Sequence, residues 1–161
     1  MHIFYVLLLS LFLVGCGGEP EQIIADMEAS GDLPVLDRTD SVAGIDSDNN
    51  GVRDDIDNYI NKTYTVSAQK SAAIQSAKVT QNSMLVDKFN KTEVEKVALE
   101  ELRASNCAFY SFGSDRAGVG TMRREIRSLT TNTKIRLLSY LEFSKAMSGA
   151  ALTLPKGNTC E

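Results

Sequence analysis

Asp46-Ser47-Asp48-Asn49-Asn50-Gly51-Val52-Arg53-Asp54-Asp55-Ile56-Asp57 is the stretch on which the reading of this chain turns. Oxygen-bearing side chains stand at its positions 1, 3, 5, 9 and 12, and glycine stands at position 6. Calcium takes six to eight oxygens at about 2.3–2.6 Å, from carboxylates, amides, a backbone carbonyl and water. The spacing therefore predicts side-chain ligands from Asp46, Asp48 and Asn50, the backbone carbonyl of Val52, Asp54 acting through water, and Asp57. Gly51 permits the sharp turn that such a loop needs. Zinc does not suit the site, because the nitrogen and sulfur ligands it favours are missing from this stretch. Magnesium suits it less than calcium, because it keeps several waters. Without a metal, the same residues would form an acidic turn in which Asp54 and Asp55 favour a helix N-terminus.

Working outward, Val52, Ile56, Tyr59 and Ile60 recur at helical spacing, so the loop runs into a helix ending near Thr63. Upstream, Glu19 to Ser30 reads as a short helix with Pro20 in its first turn, Ile23, Ile24 and Met27 on one face, and Gly31 at its end. Gly31 to Gly44 reads as an ordered loop anchored by Leu33, Val35 and Leu36. Downstream, a second helix is expected over Ser67 to Phe89, only partly buried because its apolar stripe is thin. A third runs from Thr92 to Phe112 on a stripe of Val94, Ala98, Leu102, Ser105, Phe109 and Phe112. Gly113 to Gly120 reads as a flexible break; it lacks the Gly-Lys-Ser/Thr ending of a phosphate-binding loop. Met122, Ile126 and Leu129 mark a short basic helix. Thr131 or Thr133 then caps a last helix whose Ile135, Leu137, Leu138, Tyr140, Leu141, Phe143 and Met147 suggest the most buried element. No stretch alternates as a strand does. The expected fold is all-α, a small bundle of about four to six helices with one EF-hand-like loop leading into a helix.

The acidic string resembles the DxDxDGxxDxxD calcium loops of thrombospondin type 3 repeats, and the dockerin version of the EF-hand loop, which also ends in Asp. It departs from them at Asn50, which replaces an Asp, and at Arg53, which stands where EF-hands carry the aliphatic residue that pairs two loops. No second acidic loop occurs, so the resemblance implies a lone calcium site acting as a structural clip. The wider run from Leu33-Pro34-Val35-Leu36-Asp37 through Asp55 also resembles uncharacterised proteobacterial lipoproteins, which implies no activity.

Ile3 to Val14 is apolar apart from Ser10, too short to span a bilayer but suited to a signal-peptide core. Leu13-Val14-Gly15-Cys16 follows and resembles the bacterial lipobox. That resemblance implies removal of residues 1–15, lipidation of Cys16, a tether over residues 16–20, and a single helical domain over 21–161. Two or more acyl chains give stable membrane anchoring where one does not. Gly17 after the cysteine, with no Asp there, fits an outer-membrane lipoprotein of the bacterial envelope, facing the periplasm. Setting Cys16 aside leaves Cys107 and Cys160, which in an oxidising compartment are expected to pair. Such a bond would close a loop worth about 4 kcal/mol in the chain-entropy account.

A formal net charge of −4 gives no sign of a nucleic-acid partner. His2, the only histidine, lies in the signal segment, which excludes His-based triads and His general bases from the mature chain. Residues 19–57 hold twelve acids against Arg38 and Arg53, whereas residues 116–136 hold Arg116, Arg123, Arg124, Arg127, Lys134 and Arg136 against Glu125. The basic cluster reads as a match for phosphate-bearing lipid or an acidic partner or, as the favoured expectation, as a solvated helix face or the intramolecular partner of the acidic part. The expected role is non-enzymatic: a calcium-binding, lipid-anchored protein with a structural or protein-binding task and an unknown protein partner. The alternatives are an immunity or inhibitor protein that neutralises another protein and, more remotely, a His-independent envelope hydrolase.

Overall fold

The computed structural model describes residues 19–161, so the expected signal segment and Cys16 lie outside the described residues. Among the described residues six helices occur in the order α1 (Pro20–Ser30), α2 (Asp54–Thr63), α3 (Ser67–Leu85), α4 (Lys91–Phe112), α5 (Arg116–Thr130) and α6 (Lys134–Ala146). No strand occurs among the described residues, and the fold is the expected all-α bundle. No described helix is long and apolar enough to cross a membrane.

The chain divides between Pro34 and Val35 into two units. The first carries α1, which opens on Pro20 and closes at Gly31, where φ is 82° and the Gly31 N–H bonds to the Glu28 carbonyl. A positive φ of this kind suits glycine and ends a helix cleanly. Ile23, Ile24 and Met27 of α1 are exposed.

The second unit is built around α3, which touches α2, α4, α5 and α6. Val52, Ile56 and Ile60, spaced at one helical face, are buried with Ala72, Ala73 and Ala77 of α3 and with Met122 and Ile126 of α5. A second cluster joins Val79 of α3, Val94, Val97 and Ala98 of α4, and Phe143 of α6. Cys107 and Cys160 form a disulfide with their Cα atoms 4.7 Å apart, as cysteine parity leads one to expect. It holds an irregular tail that is also fixed by the Thr159 hydroxyl donating to the Arg103 carbonyl at 2.6 Å, and by the Gln75 amide donating to Thr159 O at 3.1 Å.

Several local expectations need correction. α3 is not thinly buried: ten of its residues are inside, most of them small or polar. It stops at Leu85 rather than Phe89, where the Lys88 ammonium bonds the Met84 carbonyl and Phe89 stands 99% exposed. α6 is not the most buried helix: only Arg136 and Phe143 are inside, and Ile135, Leu137, Leu138 and Leu141 are exposed. The break after α4 spans only Gly113 to Asp115, because the Asp115 carboxylate accepts from the Gly118 N–H at 2.8 Å and starts α5 early. An N-cap of this kind offsets the poor helix propensity of Gly118 and Gly120. Of the anchors expected before the acidic loop, Leu36 packs on the core, whereas Leu33 and Val35 are exposed.

Candidate functional site

The acidic loop is closed at its base by the Asp54 N–H donating to the Ile45 carbonyl at 2.9 Å. Within it, the two oxygens of Asp46 accept from the N–H groups of Asn50, at 3.1 Å, and Gly51, at 2.9 Å. Two residues turn the backbone left-handed, Asn49 with φ 57° and Gly51 with φ 87°. Asn tolerates this conformation better than most side chains, and glycine adopts it without steric cost. On the far side, Asp54 accepts from the Ser47 amide at 2.9 Å and from the Ser47 hydroxyl at 2.6 Å. The Ser47 hydroxyl, then the Ser47 amide, hold the Asp54 carboxyl below its ordinary pKa against a weaker desolvation effect.

This turn brings one carboxylate oxygen each from Asp46, Asp48 and Asp54 within 4.8 Å of one another. Asn50 and Asp57, two more of the predicted ligands, are hydrogen-bonded to each other. Asn50 turns its side-chain oxygen to the Val52 N–H at 2.7 Å, and its amide nitrogen donates to Asp57 at 2.6 Å and to Asp48 at 3.1 Å. Asp57 thus meets Asn50 rather than joining the three clustered carboxylates. Burial pushes the Asp57 pKa up; the Asn50 hydrogen bond opposes that, and repulsion from Asp48, Asp46 and Asp54 adds to it. A cluster of this sign and composition suits a hard cation with oxygen ligands. The three carboxylates could hold a metal ion, and the Asn50 side-chain oxygen keeps a second lone pair beside the one that accepts from the Val52 N–H.

Arg53 lies inside the protein at 1% exposure. Its guanidinium grips the Asp55 carboxylate through two hydrogen bonds, of 2.9 and 2.6 Å, and donates to the carbonyl of Thr130 at 3.0 Å. Asp55 in turn accepts from the Asp37 N–H at 2.9 Å. Arg136, fully buried, donates to the Asp37 carboxylate at 3.1 Å, to the Asp37 carbonyl, to the Ser41 carbonyl at 3.0 Å and to Asn132 at 2.9 Å. Two buried arginines therefore tie the acidic loop and the segment before it to the end of α5 and the start of α6. They cross at Gly44, whose φ is 68° and where a Cβ would stand 2.2 Å from the Arg53 Cδ and 2.8 Å from an Asp37 oxygen. No other residue fits there without moving the network.

Charge and burial compete in this network. Burial alone would raise the Asp37 pKa, but hydrogen bonds from Thr39 and the Arg136 and Arg53 charges together hold it low. Desolvation, then the Arg53 charge, lower the Arg136 pKa, while Asp37 and Asp55 oppose them. The charge asymmetry of the sequence is thus spent partly inside the molecule. Asp37 and Gly44 were not among the residues expected to matter, Asp55 was read only as an acid favouring a helix N-terminus, and Arg53 as a departure from a paired loop. The one usable signal was its place, a long cation set between Val52 and the acidic start of a helix. No family model, curated protein or solved structure matches the chain.

Proposed function

We propose that this chain is a non-enzymatic, calcium-binding protein of the bacterial envelope, anchored by lipid at Cys16 and facing the periplasm from the outer membrane. The single observation that carries the calcium reading is the convergence of Asp46, Asp48 and Asp54 oxygens in a turn whose backbone already holds Asp46 from two amides. Calcium would supply two positive charges among carboxylates that otherwise repel one another. Arg53, rooted between the loop and the carbonyl end of α5, makes the site a fastening of the fold rather than an opening switch. The anchor reading is supported by Leu13-Val14-Gly15-Cys16 after the apolar run.

An affinity on the order of 10⁻⁵ to 10⁻³ M is expected, as in extracellular modules. Calcium at 100 times the dissociation constant then stabilises the fold by about 2.7 kcal/mol. Thermal melts in calcium and in chelator test this, with Asp46→Asn/Asp48→Asn as the variant that should no longer respond. Identical melting temperatures in calcium and chelator for the unaltered protein would refute the clip. A second reading, an immunity or inhibitor protein that neutralises a protein partner, is favoured by the exposed Ile135, Leu137, Leu138 and Leu141 of α6 and by the exposed Phe89. Co-purification with one envelope protein at fixed stoichiometry would favour it over a purely structural role.

A further inference from the structure

α5 carries Arg116, Gly120, Arg123, Arg124 and Arg127 at spacings that place them along one helix face. With Phe109 of α4 they line a surface groove of about 210 Å³ that no acidic residue lines. Gly120 puts no side chain into the groove; a Cβ there would meet an Arg124 guanidinium nitrogen at 3.4 Å, an ordinary contact. Phe109 lies under the Arg116 guanidinium, 4.8 Å from ring centre to carbon, and so orients it.

These four arginines lack close countercharges. Among the described residues none of them has a carboxylate within 4.0 Å, in contrast to Arg53 and Arg136. Glu101, the carboxylate whose field reaches Arg123 and Arg127, lines an inner cleft that these two arginines line as well, and the Arg127 guanidinium also lies over the Tyr140 ring at 5.5 Å. The Ser76 hydroxyl lines that cleft too, is 6% exposed and has no hydrogen-bond partner. Burial, and then the charge of Arg127, push the Arg123 pKa down. Four arginines lining one groove with no carboxylate in its lining concentrate positive charge there, which an anion would offset. Guanidinium forks match the oxygens of a phosphate group, and a dianion takes several such forks at once.

We infer that the groove between α4 and α5 binds a phosphate group, free or as a monoester, through Arg116, Arg123, Arg124 and Arg127. Arg116 and Arg124 are exposed and close the groove from its outer side, whereas Arg123 and Arg127 are half-buried and form its inner wall. This site does not depend on the calcium loop, and it uses the basic segment that the buried arginine network leaves unpaired.

Titration calorimetry of the full-length chain in calcium-free, low-salt buffer tests it, with inorganic phosphate and glycerol 3-phosphate as probes. Saturable binding is expected, weakened at least about 10-fold in Arg116→Gln/Arg124→Gln, a loss of about 1.4 kcal/mol. Gly120→Leu, which fills the groove without changing charge, should weaken it similarly, and Lys62→Gln should leave it unchanged. Equal affinity for the two probes assigns the groove to free phosphate, and tighter glycerol 3-phosphate binding assigns it to a phosphomonoester headgroup. The inference is overturned by the absence of saturable binding, by equal affinity in a double variant whose helical signal and melt match the unaltered protein, or by binding of heparin alone.

Discussion

α3, with the sequence SAQKSAAIQSAKVTQNSML, buries ten residues, whereas α6, KIRLLSYLEFSKA, buries two, and one of those is an arginine. By hydrophobicity the order should be reversed. α3 lies among α2, α4, α5 and α6, while α6 packs mainly on α3 and α4, with Arg127 of α5 over its Tyr140 ring. A helix with neighbours on several sides needs small side chains, because Ala and Ser let the backbones approach and fill the space that remains. Ala72, Ala73 and Ala77 are accordingly at most 1% exposed, and Ser83 is fully buried with its hydroxyl donating to the Thr80 carbonyl at 2.7 Å. A helix at the margin uses one large residue, Phe143, and one long cation, Arg136, which reaches Asp37 and Ser41 in the segment before the acidic loop. Burial thus follows position in the bundle, and composition records only how each position was filled.

The strongest way to break this comparison is Arg136→Met, which keeps length and apolar stem but removes the guanidinium. The Asp37 carboxylate is only 11% exposed, and losing its partner leaves a buried charge together with unmet carbonyls. Breaking a buried pair in this way costs about 3–5 kcal/mol, to be read from urea denaturation at neutral pH. The pH dependence supplies a second readout. Asp37 has its pKa lowered from an ordinary 3.8, so its contribution is fully present above 3.8 and is lost as the pH falls through the folded value. The variant should lose part of that acid sensitivity. A cost under about 1 kcal/mol, with an unchanged acid limb, would mean that α6 is not fastened by its arginine.

Ala73→Leu probes the other helix. Ala73 is 0% exposed, in a core shared by α2, α4 and α5, so three added carbons must displace packed neighbours. Overpacking of this kind costs about 1–3 kcal/mol. A neutral result would show that the small residues of α3 line slack space rather than close contacts.

How much of this was legible in the sequence differs from element to element. The loop-to-helix register of Val52, Ile56 and Ile60 was legible because helical spacing reports one face directly. The disulfide followed from cysteine parity once Cys16 was set aside. The start of α5 was missed because Gly118 and Gly120 were read as breakers, although Asp115 stood where an N-cap belongs. In the acidic loop the spacing located the three carboxylates that converge. The engagement of Asn50 with Val52 and Asp57 was not legible, because an amide's orientation is decided by neighbouring donors and not by spacing. Arg53 and Arg136 were the hardest to see. Charged residues belong to the surface by default, and only the Asp55 and Asp37 carboxylates together with the carbonyls of Thr130, Asp37 and Ser41 make their burial tolerable.

Leu138→Gln is the mildest test and sharpens the comparison from its apolar side. Leu138 is 48% exposed and Leu141 is 50% exposed on a helix whose inward positions are Arg136 and Phe143. A surface substitution away from caps and pairs changes stability by no more than about 0.5 kcal/mol, and Gln matches Leu closely in helix propensity. Urea denaturation of the purified protein should therefore find this variant within about 0.5 kcal/mol of the unaltered protein. Ala73→Leu, which adds apolar surface, should be the more damaging of the two. That ordering is opposite to the one hydrophobicity would give, since the harmful change makes a helix more apolar and the harmless one makes a helix less so. A loss above about 1 kcal/mol at Leu138 would mean that α6 is covered in solution, and the contrast with α3 would then be one of partners rather than of position.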